Sequence, residues 1–373
     1  FATGCSEQSH RVLLNGSFVH SNFMGTGNRV AAEINAGQYS KVFSLSHTDP
    51  YTTIDGVSRT VSATWRSISQ FTTSSSDFQT EPGTLGLDYA WPLTEFQSVR
   101  MGLAAQRSDL FTDPNSSAAE ALYWVQNNGN TYTEVQYVGI PPIALTYYGT
   151  KFDTFEYSLG WSYDSRNRAL FADRGSRHRL SASYALPFSD IDFVSFNYDY
   201  LQFVPVSKWF TLMFNSEAGY GQALGDTTSM PPYRRFFAGG PETVRGYRES
   251  RMGPKDSFGN PYGGNIKFTN QLELLLPMPA KWKNSARFSL FFDVGNVFSN
   301  DDVAYVGRDG VTPVDYEFSF DKLRYSTGVA VQWMAPLGVF RFSYAVPLNE
   351  FKGNAVEYPD ETEGFQFSIG QAF

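Results

Sequence analysis

Two acidic residues and one arginine are of the types that form a buried ionic cluster. Glu273 and Asp293 each lie in a segment where apolar and polar residues alternate, and each occupies one of the polar positions. Because side chains of a β-strand point to opposite faces in turn, both carboxylates are expected on the polar face of neighbouring strands. Two such carboxylates need a cationic partner or a proton. A guanidinium offers a rigid fork of donors, and Arg245 is the obvious candidate.

The candidate arginine lies in a glycine-rich part of a long polar loop. Gly239 and Gly240 precede Arg245 and Gly246 follows it, which gives the backbone unusual freedom. The candidate loop anchor is therefore Val244-Arg245-Gly246-Tyr247, with Glu273 and Asp293 as its partners. The alternative is that Arg245 belongs to a solvated loop, as most loop arginines do. The residues alone leave this choice open.

The end of the chain indicates what kind of element must position these residues. From Gly364 to Phe373, apolar and polar residues alternate, and the chain stops on an aromatic residue. One strand face then holds Phe365, Phe367, Ile369 and Phe373, and the other holds Gln366, Ser368 and Gly370. An exposed aromatic edge of this kind invites aggregation in water. A membrane barrel accommodates it, because apolar residues face lipid and polar residues face the lumen.

The same alternation recurs along the chain. Examples are residues 57–65, 155–163, 194–200 and 266–276, and counting in this way gives about sixteen strands without a sustained helical period. Short connections at 23–28, 53–56 and 336–338 alternate with long polar ones near 69–81, 109–149, 224–263 and 299–321. This arrangement predicts an all-β fold, a transmembrane antiparallel β-barrel of about 16 strands that forms a single domain over residues 1–373. Both chain ends then fall on the periplasmic, short-turn side.

The composition is compatible with such a barrel. The chain has 373 residues with 22 Tyr and 33 Phe, and aromatic girdles at two membrane interfaces would account for them. No stretch approaches the roughly 18 uninterrupted apolar residues of a membrane helix. The alternative is a water-soluble sandwich of roughly eight to ten strands with its apolar face packed inward. A wide lumen needs polar walls instead, and the polar positions of these strands favour the barrel.

Composition and motifs also exclude several classes of function. A net charge of −8 without a Lys/Arg stripe argues against nucleic acid as a partner. The single cysteine, Cys5, excludes an internal disulfide framework. The four histidines show no metal-ligand spacing, and no Gly-x-Ser-x-Gly run is present. We therefore expect no enzyme activity, no catalytic residue, no metal site and no cofactor.

Several separate motifs resemble those of one known family. The runs Val244–Tyr247, Phe291–Gly295 and Arg324–Pro347, with the early turns at 22–27 and 49–56, are similar to motifs of the BamA family. Members of that family are barrel subunits of the machine that inserts proteins into the bacterial outer membrane. The resemblance implies a long extracellular loop folded into the lumen, where Arg245 pairs with Glu273 and Asp293.

The resemblance also implies a location and a set of partners. The expected location is the bacterial outer membrane, and the expected partners are unfolded outer-membrane client proteins and outer-membrane lipid. Accessory assembly lipoproteins and periplasmic chaperones are expected to bind largely through periplasmic POTRA modules, none of which precedes Phe1. One alternative is a related superfamily member for autotransporter assembly or two-partner secretion, and another is a passive porin. The turn at 332–336 and the strand at 342–345 favour the BamA family over the first alternative.

The seam between the first and last strands is the second candidate site. The first strand, from Phe1 to about Gln8, includes Gly4 and Cys5 and alternates only weakly. On the last strand the seam residues are Phe367, Ile369, Gly370 and Phe373, and the glycine weakens pairing or permits a bend. A weak seam could open sideways and offer its edge to the last strand of a client. The alternative is that Gly370 only relieves crowding where the barrel closes.

Overall fold

The computed structural model describes most of the chain. The described residues are 14–36, 40–69, 78–80, 82–112, 118–138, 142–279, 281–282, 285–335 and 338–370. The predicted first strand, with Phe1, Gly4 and Cys5, lies outside the described residues, and so does Phe373. Of the predicted seam, the structure therefore describes only the side formed by the last strand.

The described residues are mainly β-strand. The strands are β1 Leu14–His20, β2 Arg29–Ala36, β3 Ser40–Asp49, β4 Ser58–Ser69, β5 Phe78–Thr80, β6 Gly83–Pro92, β7 Gln97–Thr112, β8 Asn130–Val138, β9 Ile143–Asp164, β10 Gly175–Ala185, β11 Asp192–Pro205, β12 Thr211–Leu224, β13 Gly246–Tyr247, β14 Ile266–Leu275, β15 Ala286–Phe298, β16 Arg324–Ala335, β17 Gly338–Pro347, β18 Thr362–Glu363 and β19 Phe365–Gly370. One α-helix, α1, spans Ala119–Asn127, and 3-10 turns span Phe23–Gly25, Pro232–Arg234 and Phe320–Lys322.

The strand count agrees with the prediction from sequence. Seventeen strand segments belong to one antiparallel sheet, and β13 and β18 form a separate pair. Since β5 and β6 both pair with β4 and with β7, they count as one interrupted strand, which leaves sixteen strands among the described residues. The predicted all-β fold of about 16 antiparallel strands is confirmed. Among the described residues no helix is long and apolar enough to cross a membrane, a finding that has no bearing on strands.

The chain divides into two compact units, and each is described by itself. Unit one holds the described residues of 1–160, 182–194 and 223–233. Its strands β1 to β4 pair in chain order, and β8 pairs with the first half of β9. Large apolar side chains at alternate strand positions are exposed, among them Leu45, Val61, Leu85 and Leu103. This is the surface expected of strands that face lipid.

Helix α1 in unit one was not predicted. It lies in the long connection that the sequence assigned to an irregular loop, and its nine residues are too few for a 3.6-residue period to stand out. Tertiary packing fixes it instead. Trp124 is fully buried, donates a hydrogen bond to the carbonyl oxygen of Ser229 at 3.1 Å, and packs edge-to-face on Phe152. The helix therefore depends on contacts distant in sequence.

Unit two holds the described residues of 161–181, 195–222 and 234–373. Here β12, β14, β15, β16, β17 and β19 pair in that order, each antiparallel to the next. The alternation of faces matches the pattern read from sequence. Exposed side chains include Phe268, Leu272, Leu290, Phe292, Phe365 and Phe367, and buried ones include Thr269, Gln271, Glu273, Ser289, Asp293 and Gln366. We call the second set the inward face.

Two loops of unit two lie against this inward face. The anchor loop is residues 234–265, which carry β13, and the last loop is residues 348–364, which carry β18. The two loops meet where β13 pairs with β18, with Gly246 opposite Glu363 and Tyr247 opposite Thr362. This pairing places the candidate motif beside the strand that ends the described chain.

Candidate functional site

Two acidic side chains of the inward face define the site. Glu273 on β14 and Asp293 on β15 are 3% and 0% exposed. The two strands are neighbours, and Glu273 lies opposite Phe291 while Asp293 lies opposite Gln271. Because alternate residues share a face, the sequence pattern alone brings both carboxylates to one wall. Buried carboxylates on neighbouring strands need a cation or hydrogen-bond donors to offset the cost of removing their charges from water.

Arg245 of the anchor loop provides that compensation. It is 4% exposed. Its Nε and Nη2 atoms donate to the two carboxylate oxygens of Asp293, both at 2.7 Å, and its backbone N–H donates to Oδ2 at 3.0 Å. Its Nη1 atom donates to Oε1 of Glu273 at 2.5 Å. One guanidinium thus bridges two strands, and its fork geometry suits the pair of carboxylates.

An aromatic ring completes the arginine's surroundings. The guanidinium carbon of Arg245 lies 3.6 Å from the ring centre of Phe291, which is itself buried on the inward face. A cation over an aromatic face is attracted by the ring quadrupole, more strongly when water is excluded. Phe291 was missed in the sequence analysis. Phe291 lies two residues before Asp293 on β15, so the alternation of faces predicts that both side chains point to the inward face.

The charges around Arg245 keep it protonated. Burial acts to lower the pKa of the Arg245 guanidinium, but the hydrogen bonds and charges of Asp293 and Glu273 outweigh burial and raise that pKa above its ordinary value. The cluster holds one positive charge against two carboxylates. Within the described part of the chain, Oε2 of Glu273 has no hydrogen-bond partner. The pair Arg245–Asp293 is therefore the better satisfied half of the cluster.

The glycine next to the arginine is required by its backbone. Gly246 has φ +88°, in the left-handed region that favours glycine. A Cβ atom built on it would lie 3.0 Å from Cβ of Ala345 on β17. The loop backbone therefore approaches the strand as closely as a residue without a side chain allows. This explains why a glycine follows Arg245.

The other two motif residues pack into a small apolar core. Val244 and Tyr247 are fully buried in a cluster with Ala238, Met252 and Val297. The Tyr247 hydroxyl lies 3.4 Å from the backbone oxygen of Tyr325 and 3.4 Å from Oδ1 of Asn349. The structure thus brings all four residues of the motif together with Glu273 and Asp293.

Further ion pairs fasten the anchor loop, and the sequence analysis did not single them out. Both carboxylate oxygens of Glu242 accept from Nη1 of Arg341 on β17 at 2.6 Å. In the last loop, Glu361 accepts from Arg251 at 3.1 Å and from Lys255 at 3.2 Å. Burial acts to raise the pKa of Glu361, but Lys255 and Arg251 outweigh it and hold that pKa below its ordinary value. No local sequence pattern marks these pairs.

Three of the predicted seam residues lie on the described part of the last strand. Phe367 is exposed on the outward face, opposite Phe342 of β17. Ile369 lies opposite Phe340, and Gly370 lies opposite Val339. The structure describes how these three residues pair with β17 but not their partners across the seam. The seam stays a prediction.

No metal site is apparent in the part of the chain that the structure covers. Among those residues, no group of three or more His, Cys, Asp or Glu side chains is arranged to hold an ion. The chemistry that this arrangement supports is non-covalent. It consists of a buried charge cluster that fixes a loop against strands.

Comparisons with known proteins place the chain in a family. The Omp85 superfamily domain matches residues 22–373. The outer membrane protein assembly factor BamA of Neisseria meningitidis serogroup B is 32% identical over 98% of this chain and 46% of that protein. The sorting assembly machinery 50 kDa subunit of Saccharomyces cerevisiae is 24% identical over 42% of this chain and 31% of that protein. The chain spans less than half the length of either relative.

A solved structure shows the same fold. The crystal structure of BamA from Haemophilus ducreyi lacking POTRA domains 1–3 matches with a TM-score of 0.80 and 24% identity. The match covers 97% of this chain and 68% of that one. This likeness and the sixteen antiparallel strands show a β-barrel fold. The family match and the 32% identity to a BamA protein place the chain in the outer membrane. The chain belongs to the Omp85 superfamily.

Proposed function

We propose that this chain is the central barrel of an outer-membrane protein assembly machine, which folds and inserts client β-barrel proteins. The observation that carries the proposal is the arginine cluster: Arg245 holds a loop against Glu273 and Asp293 in a chain that matches a BamA protein over 98% of its length. A diffusion pore needs no such anchor. Opposed charges in an open constriction would serve it better.

The work of such a barrel is to lower the cost of moving polar backbone into lipid. Unpaired N–H and C=O groups are costly in a bilayer, so a strand edge that offers partners favours insertion of a client strand. We propose that the seam between the first and last strands supplies this edge by β-augmentation. A bilayer thinned beside the seam would assist through hydrophobic mismatch. No nucleotide, metal or covalent chemistry is part of this proposal.

In this proposal the arginine cluster keeps the anchor loop seated while the seam works. Removing one partner from a buried, hydrogen-bonded charge set costs about 3–5 kcal/mol, because the other charge is left uncompensated. The loop would then leave the inward face and expose its apolar core around Val244 and Tyr247. We therefore expect the anchor to matter for assembly as well as for stability.

The partners follow from the same proposal. Unfolded outer-membrane proteins are the clients, and outer-membrane lipid surrounds the barrel. Accessory assembly lipoproteins and periplasmic chaperones would act largely through periplasmic modules that lie outside these 373 residues. We further propose that residues 1–373 form one barrel domain. The match of a single family domain to residues 22–373 supports this.

Reconstitution into liposomes tests the proposal. An unfolded client barrel is diluted from urea onto liposomes with and without the chain, and folding is followed by the heat-sensitive gel mobility of folded barrels. We expect the chain to speed client folding and an Arg245→Glu variant to lose the effect. Equal folding rates with and without the wild-type chain would reject the proposal.

Electrical recording separates the two alternative functions. A steady large single-channel conductance without acceleration of client folding would favour a passive porin. Acceleration restricted to one autotransporter or one secreted partner would favour the related superfamily members. We expect broad client acceleration and no steady large conductance.

A further inference from the structure

We propose that Gln366 is a positioning residue, through which the arginine-anchored loop holds the last strand of the barrel. The inference rests on the proposed function and deepens it, because β19 is the described side of the proposed seam. A residue that couples the anchor to this strand would decide how freely the seam moves. Gln366 was assigned only to the polar face of the last strand in the sequence analysis.

The side-chain amide of Gln366 binds two consecutive residues of the anchor loop. Its Nε2 atom donates to the backbone oxygen of Tyr247 at 2.7 Å, and its Oε1 atom accepts from the backbone N–H of Gly246 at 3.2 Å. Gln366 is 3% exposed. The side-chain amide thus donates one hydrogen bond to the loop backbone and accepts one from it, as the backbone of a neighbouring strand would. The two loop residues directly follow Arg245, so the arginine and the glutamine fix the same short stretch of backbone.

Two further contacts place the loop along the same strand. On the N-terminal side of Gln366, Glu363 of β18 lies opposite Gly246, and β19 begins two residues later. On the C-terminal side of Gln366, the hydroxyl of Ser368 donates to Glu242 at 3.4 Å. Glu242 also accepts a hydrogen bond from Arg341 of β17. The anchor loop thus contacts the last strand at Gln366 and Ser368, and it pairs with β18 just before that strand. Gln366 is the most buried and the closest of these contacts.

This arrangement makes the anchor and the last strand interdependent. The described part of β19 has six residues, and its ladder to β17 is correspondingly short. If the loop leaves, the buried amide of Gln366 loses both partners, and an unsatisfied buried amide destabilises the strand that carries it. Conversely, the loop loses two backbone partners if β19 moves away. The geometry points to a mechanical link from Arg245 to the proposed seam.

Hydrogen exchange on the whole chain in lipid nanodiscs tests the link without any client. The variant Gln366→Met removes the amide and keeps a side chain of similar length. The control is Gln202→Met, because Gln202 is half-buried on β11 and its partners, Tyr200 and Phe203, lie on that same strand rather than in the loop. We expect Gln366→Met to speed exchange of β19 and of residues 246–247 by roughly tenfold, the factor for a lost buried hydrogen bond. Equal effects of the two variants on these segments would overturn the inference.

A double-mutant cycle distinguishes coupling from ordinary destabilisation. Arg245→Lys, which keeps the charge but loses the fork, is introduced alone and together with Gln366→Met. If Gln366 transmits the anchor, loosening Arg245 speeds β19 exchange in the first case and adds little in the second. Fully additive effects would contradict the proposal. Arg245→Lys is chosen because it perturbs folding less than removal of the charge, and Glu242→Gln provides a second way to loosen the loop.

The outcome is separable from that of the proposed function. Coupling in the exchange cycle together with no client folding by the wild-type chain would reject the assembly function alone. Client folding by the wild-type chain without coupling would reject the role of Gln366 alone. If both stand, Gln366→Met should change the initial rate of client folding several-fold while Gln202→Met leaves it near the wild-type rate. Equal rates for the two variants would count against a role of Gln366 in assembly.

Discussion

Asp293 accepts three hydrogen bonds from Arg245, two from the guanidinium and one from the backbone N–H of the same residue. The side chain and the backbone of the loop are therefore fixed by a single carboxylate. Glu273 accepts one bond from the same arginine. Asp293 is therefore the more extensively bonded of the two acids.

Asp293→Asn should destabilise the anchor loop more than Glu273→Gln. The first change removes a charge that receives three donors, and we expect a loss of about 3–5 kcal/mol. The second removes a single charge-assisted bond, and we expect about 1.5–3 kcal/mol. Urea titration of trypsin cleavage in the anchor loop measures both. Cleavage of the Glu273→Gln variant at lower urea than the Asp293→Asn variant would contradict the ranking.

Arg245→Glu should release the loop and impair client assembly, because it places a third carboxylate beside two buried ones. The matched control is Arg308→Glu, which makes the same charge change at an exposed arginine of the loop between β15 and β16. We expect rapid protease cleavage of residues 234–265 in the first variant and wild-type resistance in the second. A resistant loop and normal assembly with Arg245→Glu would show that the cluster is dispensable.

Gly246→Ala should cost more than the same change at Gly310. Both glycines have positive φ, but a Cβ at Gly246 would meet Ala345 at 3.0 Å while a Cβ at Gly310 has nothing within 4 Å. Backbone strain alone costs about 1–2 kcal/mol, and overpacking adds about 1–3 kcal/mol at Gly246 only. Thermal unfolding of each variant in detergent gives the difference. Equal losses would mean that β17 yields to the added methyl group.

Acid should loosen the tie between the last loop and the anchor loop. Lys255 and Arg251 hold the pKa of Glu361 below the ordinary value of 4.5. A lowered folded-state pKa means that the stabilisation is complete above pH 4.5 and is lost as pH falls through the folded-state pKa. Hydrogen exchange of residues 348–364 should therefore accelerate only below that pH. In Glu361→Gln this acid step should disappear, and its persistence would assign the step to another group.

The strand pattern and the acidic pair were predictable because both follow from local alternation. Parity alone places Glu273 and Asp293 on the inward face, and the structure has both there. The same rule covers Phe365, Gln366 and Phe367 on the last strand. Alternation succeeds in such strands because one face meets lipid and the other meets polar surroundings, so that a shift by one residue would expose the wrong set.

The contacts between loops and strands were not predictable from local pattern. Gln366 and Tyr247 are 119 residues apart in the chain, and Arg341 and Glu242 are 99 apart. No periodicity links residues at such distances, and a loop glutamate or a strand arginine looks the same whether it is paired or solvated. Helix α1 was missed for a related reason, since Trp124 is fixed by Ser229 far along the chain. Local sequence pattern does not predict elements and contacts that are fixed by tertiary packing.

A reversible disulfide lock tests whether the barrel works by opening between its first and last strands. The lock is built in a Cys5→Ser background, with one cysteine at Phe367 of β19 and a scan of partner cysteines through residues 1–20, which include β1. The control disulfide joins Val329 of β16 to Tyr344 of β17, which are exposed and directly opposite each other away from the seam.

Client folding into liposomes is then measured before and after reduction. We expect the oxidised seam lock to stop client folding, reduction to restore it, and the control disulfide to change little. A seam lock that forms completely and leaves the rate of client folding unchanged would show that the barrel does not need to open there.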